Sequence, residues 1–116
     1  MEIHTNKAPI FSIVTINLNN SEGLLKTITS VINQDFSMKE FIVIDGLSSD
    51  NSVSIASDFS NHIDYFLSEN DQGIYDAMNK GIAMATGDLV GILNSDDTFK
   101  SNTVLEELAE FHTSNR

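Results

Sequence analysis

The run Phe41-Ile42-Val43-Ile44 is the strongest single constraint on what this chain can fold into. A strand of four apolar residues offers no face to water, so it belongs in a parallel sheet covered by helices on both sides. The rest of the chain supplies the matching parts. Residues 10–18 (IFSIVTINL) are rich in β-branched side chains and read as a strand, closed by the turn signal Asn19-Asn20-Ser21. A helix follows, with Asn20 or Ser21 as N-cap and Leu24, Ile28, Val31 and Ile32 on one face. After Phe41–Ile44, the turn DGLSSDNS leads to a short helix carrying Val53, Ala56 and Phe59, and residues 65–67 read as a third strand. Residues 74–85 form a helix with Ile74, Ala77, Met78, Gly81, Ile82 and Ala85 on its apolar face, and Gly87 is placed to end it. Residues 89–93 read as a fourth strand, and a last helix from Ser101 or Asn102 buries Val104, Leu105, Leu108 and Phe111.

Strands alternating with helices across short connections predict an α/β fold, an open and mainly parallel sheet flanked by helices, Rossmann-like in kind. Such sheets bind ligands at the carboxyl ends of their strands. Three polar clusters fall there: Thr15-Ile16-Asn17, Asp45-Gly46, and Asn94-Ser95-Asp96-Asp97. Each taken alone is ordinary turn chemistry. Their coincidence at one edge of a sheet points to a site.

Charge limits the ligand. Six Lys or Arg against seventeen Asp or Glu give a net charge of −11, which excludes nucleic acid as the expected partner and opposes any small anion unless a cation accompanies it. With 116 residues the chain is expected to form one domain, and with no cysteine it has no disulfide or thiolate chemistry. No apolar run is long enough to cross a bilayer and residues 1–7 contain no signal-peptide core, so a cytoplasmic location is the expectation. His4, His62 and His112 have no ligand spacing and read as surface or structural, while Tyr65, Tyr75 and the phenylalanines read as core.

The blocks SIVTINLNN, EFIVIDGLSSDNS, SENDQGIYDAMNKGIAMATGD and VGILNSDDTF, in this order and spacing, together resemble the family 2 glycosyltransferases of GT-A fold. The resemblance implies an inverting, metal-dependent transferase using a nucleotide sugar, with residues 1–116 forming a single donor-binding domain, the N-terminal part of a longer enzyme. It implies that Thr15 and Asn17 lie against the nucleotide base and that Asp45 accepts a hydrogen bond from it. A carboxylate there suits the N3 donor of uracil or thymine and not cytosine, so a UDP-sugar is expected first and a dTDP-sugar next. The family's Asp-any-Asp pattern falls on Asn94 to Asp97, with Asn94 where many members carry aspartate; Asp97 would ligate Mn²⁺ or Mg²⁺ and Asp96 would support the ribose or the metal. Gly73 would allow close approach of the nucleotide beside a helix N-terminus, and Asn79 and Lys80 would contact it, Lys80 standing in for an arginine that many members carry at Met78. Gly46 replaces a second aspartate of the family, which weakens any ribose contact there.

The resemblance also implies an acceptor-binding half with a carboxylate general base, and no residue here is assigned that role. Donor binding without efficient transfer is therefore expected, and the fourth strand is expected to leave an apolar edge open to self-association. The acceptor would be a sugar, lipid-linked or other glycoconjugate hydroxyl, which places the work at the inner face of a cell membrane. Two other classes compete. A receiver-type signalling module shares the length and acidity but needs acids after its first strand, where INLNN has none. A non-catalytic interaction or nucleotide-binding module would keep the scaffold alone, at the cost of clustered, unpaired acids.

Overall fold

The computed structural model describes residues 9–114; His4 lies outside them. Four parallel strands, β1 (Phe11–Asn17), β2 (Lys39–Asp45), β3 (Tyr65–Ser68) and β4 (Leu89–Asn94), form one sheet in the order β3-β2-β1-β4. The helices α1 (Ser21–Ile32), α2 (Ser52–Asp58), α3 (Ile74–Met84) and α4 (Val104–Ser114) fill the connections and the chain end. The expected α/β architecture is the observed one.

The two central strands behave as an all-apolar run demands: every residue of β1 is buried, and all of β2 except Lys39. Alternate side chains feed two cores. On one face Phe11, Ile13, Phe41 and Val43 pack with Leu24, Ile28 and Val31 of α1 and with Leu105 and Ala109 of α4. On the other, Val14, Ile16, Ile42 and Ile44 meet Ala77 of α3. Asn20 caps α1, its Oδ1 accepting from the Gly23 amide at 3.1 Å.

Helix α3 departs from its expected apolar face. Only Ala77 and Gly81 are buried, while Ile74 and Ile82 are about half exposed (50% and 46%). The helix comes so close to β1 that a Cβ on Gly81 would collide with Val14 Cγ1. Small residues at that contact leave the larger ones on the flanks. The helix also ends without the glycine cap expected at Gly87: Ala85 turns extended, and Gly87 instead lies flat on β1, where a Cβ would meet the Phe11–Ser12 backbone at 2.8 Å. Other apolar expectations fail at the surface. Val53, Leu108, Phe111, Tyr65, Phe66 and Tyr75 are exposed, and Ala109 takes the place expected of Leu108 in the α4 contact. Strand β4 lies at a sheet edge with Val90 exposed.

At the amino end of β2, the buried Glu40 ties three segments together. Its carboxylate accepts from Ser12 Oγ, the Thr86 amide at 2.7 Å and Thr86 Oγ1, while Ser12 Oγ accepts from the Gly87 amide at 2.8 Å. Burial opposes its charge, but these donors outweigh it and hold the carboxyl below its ordinary range.

Gly81→Ala should lower stability despite the ~1 kcal/mol gain in helix propensity, because overpacking against rigid Val14 costs about 1–3 kcal/mol. A lower urea midpoint at unchanged slope is the expected result; a higher midpoint would show that α3 does not rest on β1 through Gly81.

Candidate donor-binding site

The strand order reverses at β1, whose neighbours are β2 and β4. A crevice of about 270 Å³ opens there, at the carboxyl ends of the strands. Ile16, Asn17 and Leu18 form its floor from β1, Asn94 and Ser95 one wall, and Asp71, Gly73, Ile74 and Ala77 the other. No lysine or arginine lines it among the described residues.

The acidic loop after β4 is a tight, pinned turn. The Asn94 amide donates to Asp97 Oδ2 at 3.0 Å and the Asp97 amide to the Asn94 carbonyl at 2.9 Å. Asp96 sits at φ +88°, a conformation that costs a non-glycine residue about 1–3 kcal/mol. It is held there by its amide, which donates to Thr27 Oγ1 at 3.0 Å and to the Gly23 carbonyl at 3.0 Å, while Thr27 donates onward to the Asp97 carbonyl at 2.7 Å. Thr27 is fully buried and was not singled out in the sequence, where it reads only as one more residue of an amphipathic helix. Neither expected metal ligand lines the crevice itself: Asp97 is exposed and turns Oδ2 back onto the Asn94 amide, and Asp96 lies 3.5 Å from Lys26 with both side chains in water, a pairing of little energetic weight. Among the described residues no group of three or more His, Cys, Asp or Glu converges to hold a metal ion.

Asp45 is the buried centre of the strand ends. It is fully buried, and its two oxygens accept from Asn17 Nδ2 at 2.9 Å, Ser48 Oγ at 2.6 Å, the Ser48 amide at 2.8 Å and Ser68 Oγ at 2.8 Å. Burial pushes its pKa up; the four donors push it down further, and the net shift is below the ordinary aspartate value. A carboxylate has about four lone-pair positions, all taken here. A base could bond Asp45 only by displacing one of these donors.

The other expected residues divide. Asn17 and Gly73 line the crevice. Gly73 adopts φ +108°, open to glycine and strained for other residues, as it turns the chain into α3. Thr15 does not line the crevice: it is fully buried two residues below Asn17, and its Oγ1 has no hydrogen-bond partner. Asn79 is exposed on α3 away from the crevice wall. Lys80 is not free for a phosphate, because it pairs with Glu69 at 3.1 Å and Asp76 at 3.6 Å and donates to the Asn70 carbonyl. The partial burial of Lys80 works against its charge, and these two acids more than restore it, raising its pKa.

Asp71 was missed by the sequence reading. Its Oδ1 accepts from the Gly73 amide at 3.0 Å, and its Oδ2 lies 2.9 Å from where a Cβ of Gly46 would stand. The carboxylate thus occupies the space left by the residue whose absence the sequence registered. No local signal could have found it, since the two positions are 25 residues apart in the sequence and meet only through the β2–β3 pairing.

Comparison with known proteins decides the lineage of this crevice. The sequence model described as Glycosyl transferase family 2 matches residues 12–116. The chain belongs to that family. It is 43% identical over 104 residues to an uncharacterized glycosyltransferase of Mycobacterium tuberculosis, covering 89% of this chain and 40% of the relative. It is also 35% identical over 100 residues to the GalNAc(5)-diNAcBac-PP-undecaprenol beta-1,3-glucosyltransferase of Campylobacter jejuni, covering 83% of this chain and 32% of that protein. The S. aureus TarS structure in complex with UDP-GlcNAc shares the fold at a TM-score of 0.82 and 24% identity, over 90% of this chain and 31% of that one. The family 2 chain described here therefore spans less than half the length of these relatives.

Two outcomes follow from the burial pattern. Thr15→Val, which removes an unsatisfied buried hydroxyl, should be neutral or stabilising by about 1 kcal/mol in thermal unfolding and leave any nucleotide affinity unchanged; weakened binding would place Thr15 at the ligand after all. Asp45 has a lowered folded pKa, so its contribution to stability is complete above its ordinary value and is lost as pH falls through the folded one. Asp45→Asn should be less stable at pH 7 and lose less further stability between about pH 5 and pH 3 than the parent; parallel curves would show that folding leaves the pKa of Asp45 unchanged.

Proposed function

We propose that the chain is the donor-binding part of a family 2 glycosyltransferase, holding a nucleoside diphosphate sugar, with UDP as the favoured nucleotide, for transfer to an acceptor hydroxyl. The observation that carries this reading is the crevice at the β1 reversal, walled on one side by Asn94 and Ser95 at the base of the pinned acidic turn, on the other by Asp71 and Gly73, with no lysine or arginine among its described lining residues. TarS, which shares the fold, has been seen with UDP-GlcNAc, and the C. jejuni relative is described as a glucosyltransferase acting on an undecaprenol-linked sugar.

Asn17 and Gly73 would meet the nucleotide from the floor and from the α3 end, and Asp71 would present the carboxylate that faces the N3–H of uracil or a ribose hydroxyl. Asp45 would act behind Asn17. Lys80 and Asn79 would stay outside the contact. Two exposed acids with no third ligand beside them among the described residues suit a hard cation that takes most of its ligands from diphosphate oxygens and water. Asp97, with Asp96 beside it, would hold Mn²⁺ or Mg²⁺ there, and a bound cation would neutralise the departing nucleoside diphosphate. The need for one is electrostatic: in a chain of net charge −11, with no lysine or arginine among the described residues lining the crevice and only Lys26, paired to Asp96, beside the acidic loop, a diphosphate meets little positive charge without a cation. The general base that deprotonates the acceptor would come from the portion of the relatives that this chain does not span. The undecaprenol-linked acceptor of one relative supports a lipid-linked acceptor here and work at the inner face of a membrane, although no described helix is long and apolar enough to cross one.

Calorimetric titration of UDP with and without Mn²⁺ tests this reading. Binding that requires Mn²⁺ and is lost in Asp97→Ala is expected, with Asp71→Asn weakening it about tenfold through loss of one charged hydrogen bond. Absence of binding by the folded protein in either condition would sink the proposal.

A further inference from the structure

One line of side chains crosses all four strand ends in the order of the sheet. Ser68 Oγ, at the end of β3, donates to Asp45 Oδ2 at 2.8 Å; Asp45 Oδ1, at the end of β2, accepts from Asn17 Nδ2 at 2.9 Å; and Asn17 Oδ1, at the end of β1, accepts from Ser95 Oγ at 2.7 Å, just after β4. The direction of each bond is forced. Asp45 can only accept, so Asn17 must turn its amino group toward it, which aims the amide oxygen at Ser95 and makes Ser95 the donor. Flipping Asn17 would set its oxygen against a carboxylate. Asn17 is 6% exposed and Asp45 is fully buried, so water does not exchange freely with these partners.

Ser95 is the first residue of the acidic loop, and its backbone amide is fixed as well, donating to the Ile16 carbonyl at 3.1 Å. The loop is therefore anchored on two sides, to α1 through Thr27 and to the carboxylate of β2 through Asn17. Hydrogen bonds in such a chain polarise one another, so the charge on Asp45 strengthens the bond Asn17 offers to Ser95.

We propose that Ser68, Asp45, Asn17 and Ser95 form a positioning relay that sets the acidic loop from the far edge of the sheet, so that cation-dependent nucleotide binding at Asp96 and Asp97 depends on a serine on β3 that touches neither. The functional half of this proposal rests on the donor-site reading above; the relay does not. Asp45 and Ser68 are positioning residues in it.

The first experiment needs no ligand. In ¹H–¹⁵N spectra of the free protein, Ser68→Ala should shift the Asn17 side-chain amide and the backbone amides of residues 95–97, and Ser68→Thr, which keeps the hydroxyl, should restore them. Shifts confined to the neighbourhood of residues 45 and 48 would overturn the relay. The second uses Mn²⁺ and UDP by calorimetry. Ser95→Ala should weaken binding about five- to tenfold and Ser95→Thr should largely recover it, as expected for one hydrogen bond. Ser68→Ala should weaken binding by about threefold, and the double variant should lose less than the product of the two, because both act along one path. A purely structural role for Ser68 would lower the melting temperature and leave the affinity of the folded protein unchanged, which overturns the functional half. If the spectra respond as expected but the parent binds no UDP with Mn²⁺, the donor-site reading fails and the relay stands as a device of the fold alone.

Discussion

A charged carboxylate without water is the condition on which the carboxyl end of this sheet depends. Asp45 has given up its solvent completely, and leaving such a group unpaired would cost several kcal/mol. Its compensation comes from three different places: Asn17 on β1, Ser48 in the following loop and Ser68 on β3. The Ser48 donors are local to the loop, but Asn17 and Ser68 are in place only when β1, β2 and β3 have paired in register. The ionised aspartate therefore rewards correct assembly and penalises a slipped sheet, in which half of its hydrogen bonds would be lost.

The opposite end of β2 repeats the device. Glu40 is buried there and gathers Ser12 from β1 with the Thr86 segment that leads into β4. One strand is thus bracketed by two buried acids, one organising the end that faces the crevice and the other the end that does not. Between them the contacts are apolar, and close approach is bought with missing side chains: Gly81 lets α3 rest on Val14, and Gly87 lets the connection to β4 lie on the β1 backbone. The rigidity of the crevice floor follows from this arrangement, since Asn17 and Ile16 belong to a strand held on both edges and both faces.

Periodicity made the architecture legible. An unbroken apolar run at residues 41–44 could be satisfied only by burial on both faces, and the strand and helix positions followed within two or three residues. The cores were legible wherever a helix met the sheet through large residues, as α1 does through Leu24, Ile28 and Val31. They were illegible where the contact is made by small ones: hydrophobicity alone favoured Ile74 and Ile82 over Gly81, and Leu108 over Ala109, and distance of approach decided otherwise. The site divides in the same way. Asn17, Gly73 and the acid pair sit where strand ends and turn chemistry place them. The Lys80–Asp76 pair has the i,i+4 spacing of a helix and was legible, but the shorter contact that completes the capture of Lys80, to Glu69 eleven residues back, lies beyond any helical spacing. Thr15 was lost to strand geometry, since β1 is buried along its whole length and a residue two places below its crevice-lining end is interior.

The position of Asp71 over Gly46 has a consequence for how this lineage could change. The two residues share one volume: a side chain at 46 would begin 2.9 Å from the carboxylate of 71. An acid delivered from the end of β2 and an acid delivered from the loop before α3 would compete for one place, and because the obstructing atom is the tip of the Asp71 side chain, a residue at 46 requires that carboxylate to swing aside. Doing so strains the bond by which Asp71 holds the Gly73 amide at the start of α3, so replacements at 46 and 71 are coupled and their effects do not add.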